Sequence, residues 1–294
     1  MEAGSPVARA AGYPPPRQSS AWQIHSQRVS RAELFAGLLI IPCVNGLAGR
    51  AIDAVRELGW NALTAGFNVS AIVWFAVFAS LRLVLRTGEG QVKALDVVVG
   101  VVVLALTAVP VPTLSWVALT LSSIYIARAC PAGSAMQRGA FICLALTAPM
   151  VWGPKLMHAY FEPFQKIDAL LVSGLTGTER LGNLVRLADG SGGYLMIAQG
   201  CSSFHNISLA ILGSVTATQI VGTKRTVAQL CWCLLACASV LAVNVIRISL
   251  IGLHPEYYDL LHGPVGAGLA NWLSLGLIAS ICYFGVRRDL RAAS

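Results

Sequence analysis

Three side chains of this sequence have types and positions that suit acyl transfer: Cys201, Arg247 and His262. A thiolate attacks a carbonyl carbon readily, yet an ordinary cysteine, with a pKa near about 8.5, is mostly protonated at neutral pH. A cation close by favours the thiolate, and an imidazole acts as base and then as acid toward the departing amine. Arginine stays charged throughout and holds a substrate carbonyl or a developing oxyanion with its planar fork. Each residue also has a plain reading. Cysteine packs as a small hydrophobe, arginine snorkels to an interface, and histidine sits hydrogen-bonded in a loop. The choice depends on where the chain carries them.

That chain is apolar. Its 294 residues are 56% hydrophobic and only 12% charged, with a mean hydropathy of +0.68. A soluble domain carries about 25% charged residues, so a polar surface for a fold of this size is missing. Cytosolic enzymes, secreted disulfide scaffolds and disordered tails are poor fits. Lipid is the solvent that remains, and the net charge of +8 is then read loop by loop, not as a nucleic-acid footprint.

A spanning helix needs roughly 20 mostly apolar residues. Residues 62–81, 95–111, 113–129, 195–221, 227–252 and 264–286 meet this requirement. Two further segments carry interruptions: 33–49 contains Asn45 and ends before Arg50, and 139–157 contains Pro149 and Pro154. Proline is tolerated in a buried membrane helix when neighbours satisfy the freed carbonyl. With all eight crossing and the N-terminus inside, fourteen of the 21 lysines and arginines fall on the cytoplasmic side and six outside, Arg247 lying within a span. That bias is the positive-inside pattern. The expected fold is all-α: a polytopic transmembrane helix bundle of about eight spans, both termini cytoplasmic.

The ends and the outer segment complete this division. Residues 1–30 are polar, include Pro14-Pro15-Pro16, and read as a disordered cytoplasmic tail. The membrane domain covers 31–288, its first apolar run resembling an uncleaved signal-anchor, and 289–294 form a second tail. In the long outer segment 158–194, Phe161, Phe164, Ile167, Leu170 and Leu171 recur at helical spacing, as in a helix lying at the interface. Residues 173–193, rich in glycine, serine and threonine, read as a flexible loop over the outer face.

This topology gathers the three chemical residues. Cys201 is expected roughly 9 Å and Arg247 roughly 8 Å below the outer boundary, from the rise of a helix, and His262 opens the last span on the same side. An ionisable group at such a depth marks function or meets a partner. His205, four residues after Cys201, is a rival base, and His254 another. Cys231, Cys233 and Cys237 lack an accompanying histidine or carboxylate, so they read as packing and not as a metal site. Asp96 reads as a first-turn acid favourable to its helix dipole. No Walker loop, dinucleotide glycine fingerprint, His-Glu-x-x-His or Gly-x-Ser-x-Gly element occurs, and no cofactor is implied.

At these residues the sequence resembles the exosortase/archaeosortase family of polytopic membrane cysteine transpeptidases. Ala198-Gln199-Gly200-Cys201-Ser202-Ser203 is similar to the family's nucleophile segment, with Ser203 where glycine is usual. Asn244-Val245-Ile246-Arg247 is similar to its Asn-x-x-Arg element, and His262 with Gly266 to its His-x-x-x-Gly. The likeness covers 195–286, a third of the chain. It implies that Cys201 is the nucleophile, completed by Arg247 and His262. It implies substrates with a C-terminal signal: a short motif often containing Pro-Glu-Pro, then a transmembrane helix, then a basic tail. The expected activity is cleavage of such signals at the outer face of a bacterial inner membrane. The competing reading is a non-enzymatic transporter or an assembly factor for exopolysaccharide export.

Overall fold

A computed structural model of the chain describes residues 29–64, 66–85, 90–198, 202–223 and 226–293. The polar tail read over 1–30 therefore lies almost wholly outside the described residues. Five helices are long and apolar enough to cross a membrane. They are α1 (Arg31–Leu58), the pair α6 (Ala135–Thr147) and α7 (Gly153–Ala159), which run on from one another, α9 (Phe204–Val221), α10 (Val227–Leu253) and α12 (Pro264–Ala293). Between them lie the short α2 (Asn61–Thr64), then α3 (Ala71–Val84), α4 (Ala94–Ala108), α5 (Pro112–Ala129), α8 (Phe161–Thr176) and α11 (Tyr258–His262). The chain is a multi-pass membrane protein.

Local chemistry sets the boundaries. The Ser30 hydroxyl accepts from the Glu33 amide while the Glu33 carboxylate accepts from the Ser30 amide, and this reciprocal cap starts α1. The expected span at 62–81 begins later, at Ala71. Gly66, Phe67 and Asn68 all adopt positive φ, near 60°, 58° and 55°, which no helix can absorb, and the Ser70 hydroxyl then caps the new start through the Ile72 amide. In 139–157 the two prolines are accommodated by a π turn over Ala148–Trp152, whose wider ring relieves the clash of each pyrrolidine with the preceding turn. Gly153 belongs to the same device, since a Cβ there would stand 2.8 Å from the Ala148 carbonyl.

The main core lies among α1, α3, α5, α6 and α9, where Phe35, Leu38, Leu119, Ile142, Leu146 and Leu212 are fully buried. Backbones approach closely at small residues, as membrane bundles require. A Cβ on Gly46 would come within 2.7 Å of the Trp116 indole, and one on Gly139 within 2.6 Å of Val84. Asn45, the polar interruption in the first span, donates to the Thr107 carbonyl at 3.0 Å and to the Ser115 hydroxyl at 2.8 Å. At one end of these helices the Arg31 guanidinium forks onto the fully buried Asp96 carboxylate at 2.8 and 2.9 Å, and the Tyr125 hydroxyl donates to it at 2.6 Å.

The outer segment departs from the expected flexible loop and from a purely helical architecture. Residues 180–196 form a three-stranded antiparallel sheet, β1 (Arg180–Leu181), β2 (Leu184–Arg186) and β3 (Tyr194–Met196). Gly182, at φ 64°, turns the tight β1–β2 hairpin. Val185 and Ile197 insert under it and meet Ala169, Val172, Val245 and Ile248, a second core between α8, the sheet and α10. Glycine and serine supplied the turns here, while six buried apolar residues supplied the order that composition hid. The last correction concerns 195–221: its first residues are strand, and α9 starts only at Phe204.

Candidate active site

Helix α8 is the floor of the candidate site, and its polarity is turned inward. Gln165 and Asp168, three residues apart and so on one face, are 0% and 3% exposed, whereas Ile167, Leu170 and Leu175 are each more than half exposed. A helix at a lipid interface has this arrangement: apolar residues outward, polar ones toward the protein. Buried polar groups need partners, and those of Asp168 come from the turn that precedes α9. Ser203 donates its amide to one carboxylate oxygen at 3.1 Å and its hydroxyl to the other at 2.8 Å.

From Ser203 the chain of contacts crosses to α10. The Asn244 side-chain amide donates to the Ser203 hydroxyl at 3.0 Å, and Arg247, one helical turn on, donates from Nη2 to Asn244 Oδ1 at 3.4 Å. An anion and a cation are thereby joined through two neutral groups, with Asp168, Ser203 and Asn244 all at most 5% exposed. Arg247 Nε is buried and makes no hydrogen bond among the described residues, so the guanidinium retains a donor for a ligand oxygen. Beneath the sheet, Asn183 donates to Gln165 Oε1 at 3.3 Å and to the Ile197 carbonyl at 3.2 Å. Gln165 Nε2 is likewise buried without a hydrogen-bond partner among the described residues.

Of the expected trio, Arg247 and His262 stand among the described residues. Cys201 lies outside the described residues. Ser202 and Ser203, which follow it, are buried, and Ser203 is bonded toward Arg247 as above. Helix α9 begins at Phe204, and His205 stands in its first turn. His262 ends α11 just before α12, as expected of the mouth of the last span. It is exposed, stacks on Tyr258 with centroids 5.0 Å apart, and makes no hydrogen bond to Arg247 among the described residues. A Cβ on Gly266 would collide with the Leu260 and Leu261 carbonyls, so the His-x-x-x-Gly spacing reflects a junction that only glycine closes. His254 is exposed and pairs with Glu256 at 3.2 Å. Among the described residues no cluster of histidine, cysteine and carboxylates converges as a metal site would require.

Asp168, Gln165 and Asn183 were not singled out from sequence, because Gln165 and Asp168 share α8 with Glu162 and Lys166 and nothing in their spacing marks which polar pair turns inward. Ser203, marked only as a departure from glycine, is the hub. Ser203→Ala removes one hydrogen bond from Asn244 and one from Asp168, and is expected to lower unfolding stability by about 1–3 kcal/mol. Ser203→Thr should retain most of it. Denaturant unfolding of the purified protein measures both, and an alanine variant as stable as the parent would remove the hub from the account.

No protein-family model, curated protein or solved structure matches the chain.

Proposed function

We propose that the protein is a membrane-embedded cysteine protease/transpeptidase. It crosses a bacterial inner membrane eight times with both termini cytoplasmic, and it cleaves C-terminal sorting signals of exported proteins at the outer face. The observation that carries this reading is the hydrogen-bonded path Asp168–Ser203–Asn244–Arg247. It ties a guanidinium with an unused donor to the residues directly after Cys201. The chemistry follows from the residue types. The Cys201 thiolate adds to the scissile carbonyl carbon, and Arg247 donates to the oxygen on which charge develops. The carbon–nitrogen bond then breaks, the amine leaves with a proton from the His262 imidazolium, and a thioester remains. Water or an acceptor amine or hydroxyl, deprotonated by the same imidazole, releases the thioester and regenerates the thiol.

The sheet supports the same reading. In the β2–β3 register Leu195 is paired by hydrogen bonds, as its flanking Gly193 and Ile197 are, so the backbone groups of Tyr194 and Met196 point away from β2. β3 is an edge strand, with both side chains exposed, and the chain runs on from it to Cys201. An extended substrate backbone laid along that edge is delivered toward the thiol, by strand addition. The substrate's own anchor helix then packs beside the bundle.

The test compares exported proteins that carry a motif, a transmembrane helix and a basic tail, in cells with and without this chain. Mass spectrometry of their C-termini is expected to show truncation just before the helix only when the chain is present. Intact tails in both backgrounds, for every such protein, would end the proposal.

A further inference from the structure

At the other end of α10 from Arg247, roughly 30 Å away along the helix, three voids meet. A cleft of about 410 Å³ between α6, α9 and α10 is lined on its apolar side by Phe141, Leu144, Ala145, Val215 and Leu230. It shares Gln219 and Thr223 with a void of about 550 Å³ beside Arg138. It shares Thr223, Thr226 and Gln229 with one of about 640 Å³ beside Arg287, Arg288 and Asp289. Thr223 lines all three.

Two unsatisfied donors stand at this junction. Arg138 spends Nη1 on the Gln219 carbonyl at 3.1 Å, while its buried Nε and the buried Thr223 hydroxyl have no hydrogen-bond partner among the described residues. Gly222, at φ 76°, turns α9 out against this guanidinium, and a Cβ there would come within 2.5 Å of Arg138 Nη1. The turn therefore holds the guanidinium in place. A buried guanidinium N–H without an acceptor is costly, so the arrangement calls for an acceptor oxygen from a ligand. Among the described residues lining these voids, three arginines accompany a single carboxylate, that of Asp289, and the surplus charge is positive.

We infer that this is a binding site for one anionic glycerophospholipid. Its phosphate accepts from Arg138 Nε and the Thr223 hydroxyl within the field of Arg287 and Arg288, its headgroup carries no cation, and one acyl chain fills the apolar cleft. The cleft decides for a lipid over free phosphate, because only an amphiphile satisfies both the donors and the apolar walls. A choline headgroup would bring its cation against Arg287 and Arg288, so a zwitterionic lipid is disfavoured. The site is independent of the chemistry proposed around Cys201.

The experiment uses the full chain reconstituted in phosphatidylcholine bilayers with and without phosphatidylglycerol, then extracted for native mass spectrometry and thermal unfolding. One phosphatidylglycerol is expected to remain bound and to raise Tm, while phosphatidylcholine and inorganic phosphate do neither. Arg138→Gln is expected to weaken retention about tenfold, the loss of one charge-assisted contact. Ala145→Phe fills the cleft without changing a charge and is expected to weaken it as well, which keeps the test open if the arginine variant misfolds. Arg128→Gln, at a different helix end, should leave retention unchanged. Retention insensitive to both site variants would overturn the inference, as would an equal effect of phosphatidylcholine or of inorganic phosphate.

Discussion

Cys201→Ala is expected to abolish processing of C-terminal signals, by about four orders of magnitude or more, while the protein still accumulates in the membrane. Removing a nucleophile leaves only binding and oxyanion stabilisation, which accounts for residuals of that order in other acyl-transfer enzymes. Arg247→Lys should lose about 10²–10³-fold, the effect of deleting one preorganised donor to an oxyanion. The reason is geometric. Arg247 uses Nη2 on Asn244 and keeps Nε unpartnered, so one rigid fork both anchors and donates, and an ammonium cannot do both along fixed directions. Processing rates measured on one substrate in membranes with matched protein levels check the pair. Full processing by the alanine variant would refute the nucleophile, and a lysine variant equal to the parent would refute the role of the fork.

The second large effect concerns stability and is asymmetric. Asp96 is 0% exposed at its side chain and Arg31 18%. Arg31→Met leaves a buried carboxylate holding only the Tyr125 hydroxyl and the Lys93 amide, and is expected to cost about 3–5 kcal/mol, as when one partner of a buried pair is removed. Asp96→Asn strands a cation that still reaches solvent and lies over the Phe35 ring at 4.7 Å, and keeps an amide oxygen for Tyr125, so it should cost less than half as much. Tm and denaturant midpoints of the two variants in the same detergent measure the order. A less stable Asp96→Asn would mean that burial of the carboxylate is not the controlling feature.

Both effects rest on contacts that sequence distance conceals. Arg31 and Asp96 are 65 positions apart, and each had its own local reading, a cytoplasmic positive charge and a first-turn acid. Asn244 and Arg247 were legible together, because three residues is one helical turn. Ser203 was not, since nothing in a Cys-Ser-Ser stretch says that its second hydroxyl will meet an acid 35 residues earlier. The outer sheet was hidden for another reason. Its strands are two or three residues long, too short for alternation to stand out against a background of glycine and serine.

By itself the order of residues determined that this chain lives in lipid, where its apolar runs fall, and which ends of them carry charge. These properties depend on transfer free energies summed over neighbours in sequence, and summing needs no partner. Tertiary structure alone decided that α8 turns Asp168 inward, that Ser203 bridges it to Asn244 and Arg247, and that Arg138 keeps a donor at the far end of the bundle. Such outcomes depend on which buried polar groups find one another across helices, and directional hydrogen bonds between distant residues leave no periodic trace in the chain.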